Sequence, residues 1–442
     1  MTLSYQILSA ILIIFISIDS IKCVQNDPNE MKKPSILVAI LVRNKQHTLP
    51  YFLTQFEQLS YPKQRISLFI RSDHNQDQSI PILEQWLLHN KNYYHSINSF
   101  LDDRGPKKYH DEKLPTDWTD SRFDKVIALK EEALFEAHKI WADYIWFLDA
   151  DVLITQPDLI NIMIQKNKPL IAPMLNSLGT YSNYWGGMSE DYWYVRTEEY
   201  IPILERKNKG CFEVPMIHSC VFVDLNRKLS EKLSFDPENV TGYAGPTDDI
   251  ITFAISSKEL GLEMTICNEE IYGYIPPPLN DDDELSKDFL QMTSIKLEII
   301  INFSPLKVSP SIKAFEPPRL KKDKLGFDEV YLINLLRRSE RRKKMYHSFD
   351  ELGLEVKFFE AVDGSKLNES YLADLGIKQL SDYKDPWAKR DMTYGEIGCF
   401  LSHYKIWQDV IEKKYQHVSA INAFMYQFNF TNDERLHAAF LI

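Results

Sequence analysis

The chain has 442 residues, 44% of them hydrophobic and 12% aromatic, which gives room for two or three globular domains and excludes a disordered or low-complexity polypeptide. A formal net charge of -12 and the lack of any long Lys/Arg run argue against a nucleic-acid binder, which gains affinity from a basic surface. A nucleotide held through a metal ion remains compatible with this charge.

The first residues, "MTLSYQILSAILIIFISIDSIKCVQND", carry an apolar stretch from Ile7 to Ile18 followed by small and polar residues, the layout of a secretory signal peptide over residues 1–23. The stretch is short for a membrane span and its n-region lacks Lys or Arg, so a signal anchor or a core helix stays open as an alternative. No later segment offers the roughly 20 apolar residues of a span, and no stable membrane span is expected. Cleavage leaves Cys211, Cys220, Cys267 and Cys399, too few for a disulfide scaffold. One bridge is compatible with them, Cys211 and Cys220 being nearest in sequence. Asn-X-Ser/Thr sequons stand at Asn239, Asn302, Asn368 and Asn429. With the leader they point to the endoplasmic reticulum lumen or beyond, although the final "RLHAAFLI" is not a KDEL-type retention signal.

From Ser35, "SILVAILVRNKQHTLPYFLTQFEQL" reads as a strand ending at Arg43-Asn44 and a helix through Leu49, Phe52 and Phe56. "RISLFIRSDHNQDQS" repeats the design with a strand Ile66–Ile70 and a polar loop holding Asp73 and Asn75, followed by the helical "IPILEQWLLHN". A third unit runs from "KEEALFEAHKIWA", whose Leu134, Ala137 and Trp141 recur at helical spacing, into the strand of "YIWFLDADVLI". This alternation predicts an α/β domain over residues 34–306 with a mostly parallel, doubly wound sheet. Ligands of such sheets sit at the carboxyl ends of strands, where Arg43, Asp73 and Asp149 fall. The Pro- and Lys-rich residues 307–324 read as a linker, and "GFDEVYLINLLRRSERRKKMYHSFDELG" with "VKFFEAVDG" opens a second α/β domain, 325–415.

Asp149 and Asp151 end the third strand. Residues two apart on a strand share a face, and a sharp turn after Leu148 also aims both at one ion. Hard cations such as Mn or Mg take carboxylate oxygens and leave positions for the phosphates of a leaving group, whereas a bare pair of this kind also suits a solvated strand end. Arg43-Asn44 and Asp73 are candidates for base or ribose contacts, or for ordinary loop chemistry. Lys130, at a predicted helix start, suits a diphosphate or a solvated helix face. His218, in "CFEVPMIHSCVFVDL", is either a satisfied core histidine or a further metal ligand. In "GPTDDIITFAIS", one of Asp248 and Asp249 caps the helix that follows, and the other is left as a general base beside an acceptor hydroxyl.

Together these segments resemble the procollagen galactosyltransferases of glycosyltransferase family 25 and their relative, the cerebral endothelial cell adhesion molecule. "VRNKQHTLPYFL", "WADYIWFLDADVLI", "YSNYWGGM", "GCFEVPMIHSCVFVDL", "DDIITFA", "GFDEVYLINL", "EAVDG" and "GEIGCFLSHYKIW" carry the likeness. The resemblance implies a luminal enzyme with two GT-A-type domains that moves galactose from UDP-galactose to hydroxylysine of collagen, with Mn as the metal. Such a transfer inverts the anomeric carbon and needs one base, for which Asp249 is similar in position; Asp149 and Asp151 look like the metal pair. Expected partners are UDP-galactose, a collagen-like acceptor and, in a homo-oligomer, a second copy of the chain. The family continues past "GCFLSHYKIW" with an apolar strand, a Phe-Glu-Asp-Asp cluster and well over a hundred further residues ending in a retention signal. Here residues 416–442 read as a divergent tail, so the second domain is expected to be incomplete. If that domain carries the transfer, this chain is inactive; if the first suffices, activity survives. The rival reading is a non-catalytic luminal or cell-surface protein that uses the same fold for binding or adhesion.

Overall fold

A computed structural model describes residues 30–280, 282–386 and 389–422, so the expected leader and the sequon at Asn429 fall outside the described residues. The first strand, β1 (Ile36–Val42, ILVAILV), is apolar at every position because helices cover both faces of its sheet. It leads through α1 (Leu49–Glu57), β2 (Ile66–Ser72) and α2 (Ser79–Asn90) to β3 (Ser96–Leu101). The helix α3 (Asp120–Lys139) and β4 (Tyr144–Leu148) follow. Then come β5 (Leu170–Pro173), β6 (Cys211–Glu213), β7 (Cys220–Asp224), α4 (Asp249–Glu259), β8 (Met264–Cys267) and α5 (Ser286–Asn302).

The eight strands form one sheet in the order β6-β8-β5-β7-β4-β1-β2-β3. Alternate residues of β1 divide between its two cores. Ile36, Val38 and Ile40 pack with Phe52 of α1, Trp86 of α2 and Ile295 of α5; Leu37 and Ala39 pack with Leu134 and Ala137 of α3 and with Phe253 of α4. Neighbours from β3 to β4 are parallel, as the alternating pattern predicts, but β7 lies antiparallel between β4 and β5. That reversal sets Cys220 opposite Leu148, so the residues just before β7 stand beside those just after β4.

Two expectations for the third unit need correction. Lys130 lies in the middle of α3, because the helix starts ten residues earlier in the half-exposed turns after Thr119, where apolar periodicity is weak. Trp141 is past the helix end, with a left-handed backbone (φ 56°) and an exposed ring, so it takes no part in the apolar stripe.

The disulfide is Cys211–Cys267, which joins residues directly opposite on β6 and β8, and not the sequence-adjacent pair. Cys220 is a buried thiol that accepts from the Trp146 indole at 3.4 Å, and Cys399 is free and exposed. A bridge of this sequence separation, 56 residues, restricts the unfolded chain considerably. Cys211→Ser is expected to lower unfolding free energy by roughly 2–4 kcal/mol in denaturant titrations under non-reducing conditions, and an unchanged midpoint would refute this.

A smaller unit follows: β9 (Glu329–Asn334), α6 (Ser339–Leu352), β10 (Lys357–Glu360), α7 (Tyr394–Lys413) and β11 (Val418–Asn422). Its sheet runs β10-β9-β11, all parallel, so residues 418–422, assigned from sequence to the tail, form a strand beside β9. Thr393 and Glu396 make a reciprocal capping box at the start of α7. The expected linker is not a free tether. Pro310–Phe315 forms a short 3-10 turn whose Ile312 is fully buried in the first core, and Ser309 N–H donates to Thr54 Oγ1 at 2.8 Å. The two units also meet directly, through Lys296–Glu351 at 3.0 Å and Lys344 Nζ donating to Ile301 O at 2.6 Å. Among the described residues, no helix is long and apolar enough to cross a membrane.

Candidate active site

The chain lays down β1, β2 and β3 outward and then returns to place β4 on the other side of β1. Loops leaving β1 and β4 therefore diverge, and the crevice between them is where open α/β sheets bind ligands. Lys45, from the loop after β1, meets Asp151, from the turn after β4: Nζ donates to Oδ2 at 2.5 Å. Thr48 Oγ1 donates to Ala150 O at 2.9 Å and fixes the start of α1 against the same turn.

The strand ends at Leu148, and Asp149–Val152 turn sharply, with Val152 N–H on Asp149 O at 3.1 Å. The two acids consequently have different surroundings. Asp149 N–H donates to Ser219 O at 2.8 Å, and its carboxylate lines a narrow cavity with Lys130 and His218 that has room for about one water. Burial pushes its carboxyl up to about 6; Lys130 offsets part of that rise and the Asp151 carboxylate adds to it. Asp151 gives one oxygen to Lys45, while Oδ1 is buried without a partner.

Asp248 caps α4: Oδ1 accepts the Ile250 and Ile251 N–H groups, each at 2.9 Å. Asp249 is nearly sealed from solvent and ion-paired with Lys130 from α3, whose ammonium also lies 5.2 Å from the Phe235 ring centroid. Burial pulls the Lys130 ammonium down, but Asp249 and Asp149 outweigh it and raise it overall. Neither carboxylate expected as a base is therefore free in this structure.

His218 is brought in by the antiparallel β7, and its Nδ1 lies 2.8 Å from Ser219 Oγ. Burial, with Lys130 nearby, pushes the imidazole down to about 4, so it is neutral in the folded chain near neutral pH. Between pH 4 and 6.5 the unfolded chain binds more protons at this position than the folded one, so stability rises with pH through that window and is lost as pH falls toward 4. His218→Gln is expected to lack this dependence. Relative to the variant, the wild-type chain should lose up to about 3 kcal/mol on acidification, read by urea unfolding at each pH; parallel curves would refute it.

Among the described residues, no three His, Cys, Asp or Glu side chains come together as a ready-made ion site, so Asp149, Asp151 and His218 are not a closed ligand set. The donor set fits a more open arrangement. Two carboxylates sit on one turn, one with an unpartnered buried oxygen, and other positions would be left to phosphate oxygens and water, as Mg and Mn are commonly held.

The remaining sequence candidates gather at the ends of β1 and β2. Arg43 is wholly engaged: it clamps Glu112 with two bonds of 2.5 and 2.6 Å and donates to His74 O at 3.2 Å. It positions the loop around residues 109–112 and has no spare fork for a ligand. Asn44, at φ 54°, accepts from Gln76 N–H at 2.7 Å while its own N–H donates to Asn75 Oδ1 at 2.8 Å, tying the two strand-end loops together. Asp73 lies 2.7 Å from His74 Nδ1 and accepts from the Tyr109 hydroxyl at 3.3 Å, under a His74–Tyr109 ring stack of 3.9 Å.

Sequence reasoning missed Lys45, His47 and Asp288. Asp288, from α5, lies 3.7 Å from His47 Nδ1; burial pushes it up to about 6, with Lys45 opposing the rise. Burial, then Lys45, pushes His47 down to about 3, and its Nε2 is buried without a partner. Lys45 carried one usable signal, its place three residues past the end of a strand that borders the switch.

A chain with half-buried acids and lysines at the switch point of an α/β sheet has the layout of a nucleotide-binding enzyme. Residues 33–296 match the glycosyltransferase family 25 N-terminal domain, and residues 327–421 match glycosyltransferase family 25 (LPS biosynthesis protein). The chain is 48% identical over 389 residues to a glycosyltransferase 25 family member of Aedes aegypti, with 88% of this chain and 64% of the relative covered. It is 43% identical over 384 residues to procollagen galactosyltransferase 2 of Homo sapiens, with 87% and 60% covered. A mannosyltransferase from Pyrobaculum calidifontis, solved with GDP-Man and Mn2+, aligns at 13% identity and a TM-score of 0.35, covering 66% of this chain and 70% of that one. So distant a likeness carries no weight for the site. The chain belongs to glycosyltransferase family 25. It spans about 60–64% of the length of these two curated relatives.

Proposed function

We propose that the chain transfers galactose from UDP-galactose to hydroxylysine of collagen, with inversion at the anomeric carbon. The observation that carries this reading is the 43% identity to human procollagen galactosyltransferase 2 across 87% of the chain. The crevice between β1 and β4 supplies the place for the donor. Asp149 and Asp151 would hold a divalent ion such as Mn, which when bound supplies charge neutralisation for the departing diphosphate.

In the transfer, the acceptor hydroxyl oxygen bonds to the anomeric carbon as the bond to the UDP oxygen breaks. UDP departs with that electron pair, and the hydroxyl proton passes to a carboxylate. Asp249 suits that role better than Asp248, which is tied to its helix cap. An incoming diphosphate competes with Asp249 for the Lys130 ammonium and would release the carboxylate as the donor binds. The disulfide fits an oxidising compartment, and the endoplasmic reticulum lumen, where collagen chains are modified, is the location this reading requires.

Mn-dependent transfer from UDP-galactose to a hydroxylysine-containing peptide is the test. Transfer by this chain supports the enzyme reading. No transfer where a longer relative works would favour the binding or adhesion protein, a reading helped by the engagement of both Asp248 and Asp249.

A further inference from the structure

The outer strand β3 pairs with β2 on one side and leaves its other edge open. Its sequence, SINSFL, has no charged residue and no proline, so it lacks the usual guards against edge-to-edge pairing. Apolar side chains surround it: Leu88 on α2 is 62% exposed and Phe100 on β3 is 60% exposed. A groove of about 740 Å³ runs between α2 and β3, lined by Glu84, Leu87, Leu88, Lys91, Ile97 and Phe315, among others.

We propose that this edge pairs with the same edge of a second copy of the chain, β3 antiparallel to β3 across a two-fold axis. The charge pattern selects a second copy over other occupants. Glu84 on α2 and Lys91, the residue at its C-terminal cap, stand about two turns apart, line the same groove and take part in no ion pair among the described residues. A two-fold axis reverses the helix, so Glu84 of each copy meets Lys91 of the other, with Leu87 and Leu88 between them. Self-complementarity of this kind is what an isologous interface requires.

Strand pairing and helix packing are compatible in one arrangement. Centred on Ser99, the antiparallel register sets Ile97 opposite Leu101 and joins the two sheets into one. A helix that connects neighbouring parallel strands lies over the pair, about half a strand spacing in from the edge. Adding one strand gap of about 4.8 Å puts the two α2 axes roughly 9–10 Å apart, the separation of packed helices.

Sedimentation of the full chain over a concentration series tests this, with circular dichroism confirming that each variant folds. The wild-type chain should form a dimer. Ser99→Lys should yield a monomer, Glu84→Lys should weaken dimerisation at least about tenfold, and Glu84→Lys combined with Lys91→Glu should restore most of it. If Ser99→Lys misfolds, the charge-reversal set decides alone. A chain that stays monomeric at every concentration overturns the proposal and leaves the edge to an extended peptide. A dimer indifferent to Glu84→Lys, or a charge-reversed variant as weak as the single one, overturns it as well.

Discussion

The Asp149→Ala/Asp151→Ala chain is expected to lose at least about a thousandfold in UDP-galactose-dependent transfer while remaining folded. The size follows from the role: neutralising a diphosphate leaving group contributes several kcal/mol to the barrier, and about 1.4 kcal/mol is a factor of ten. Folding should survive because Asp149 is held against its own burial, with its carboxyl pushed up to about 6, and its removal relieves that cost. Lys45 loses Asp151 but keeps Asp288 as a neighbouring anion. A second measurement separates site from scaffold. Mn should raise the melting temperature of the wild-type chain and leave the variant unmoved. Transfer within tenfold of wild type would show that the two acids only terminate a strand.

Lys130→Met is expected to destabilise the chain by about 3–5 kcal/mol, because it strands the Asp249 carboxylate in the interior. The Lys130 side chain is 15% exposed and that of Asp249 4%, so solvent screens the pair little. Two charges in such a place gain from each other roughly what they lose by leaving water, whereas a single charge has only the loss. The pairwise prediction is sharper than the single one: Lys130→Met/Asp249→Leu should recover most of the stability while abolishing transfer. Equal losses in the single and double variants would mean that Lys130 acts through its contact with the Phe235 ring and not through charge.

Much of the first unit was legible because its strands are covered on both faces. ILVAILV and YIWFL read as strands, and one of Asp248 and Asp249 could be read as a cap from its place before an apolar helix, the structure assigning that role to Asp248. The acid pair was visible for the same reason, since charge after an apolar run stands out. Its partners were not. Lys45 sits in RNKQHT and Asp288 in DDELSKDF, polar stretches in which little beyond the nearness of Lys45 to a strand end marks the side chains that the fold brings to Asp151 and His47. Arg43 looked like a ligand contact because Glu112, which consumes its guanidinium, lies in an aperiodic segment 69 residues away. The disulfide escaped for a related reason: β6 and β8 are neighbours only once the sheet order is known, and spacing along the chain favours the wrong thiol.

The turn around Ile312 also sets a timetable for the protein's birth. The core it completes contains Phe52 and Phe56, made roughly 250 residues earlier, which at ordinary synthesis speeds is an interval of roughly 10–50 s. Through that interval the face of the sheet under α1 and α2 lacks its last apolar plug, and the Asn239 and Asn302 sequons emerge before it arrives. The nascent first unit thus presents that apolar face while still unsealed. A message cut short just before residue 308 would release a polypeptide whose first core lacks Val308 and Ile312.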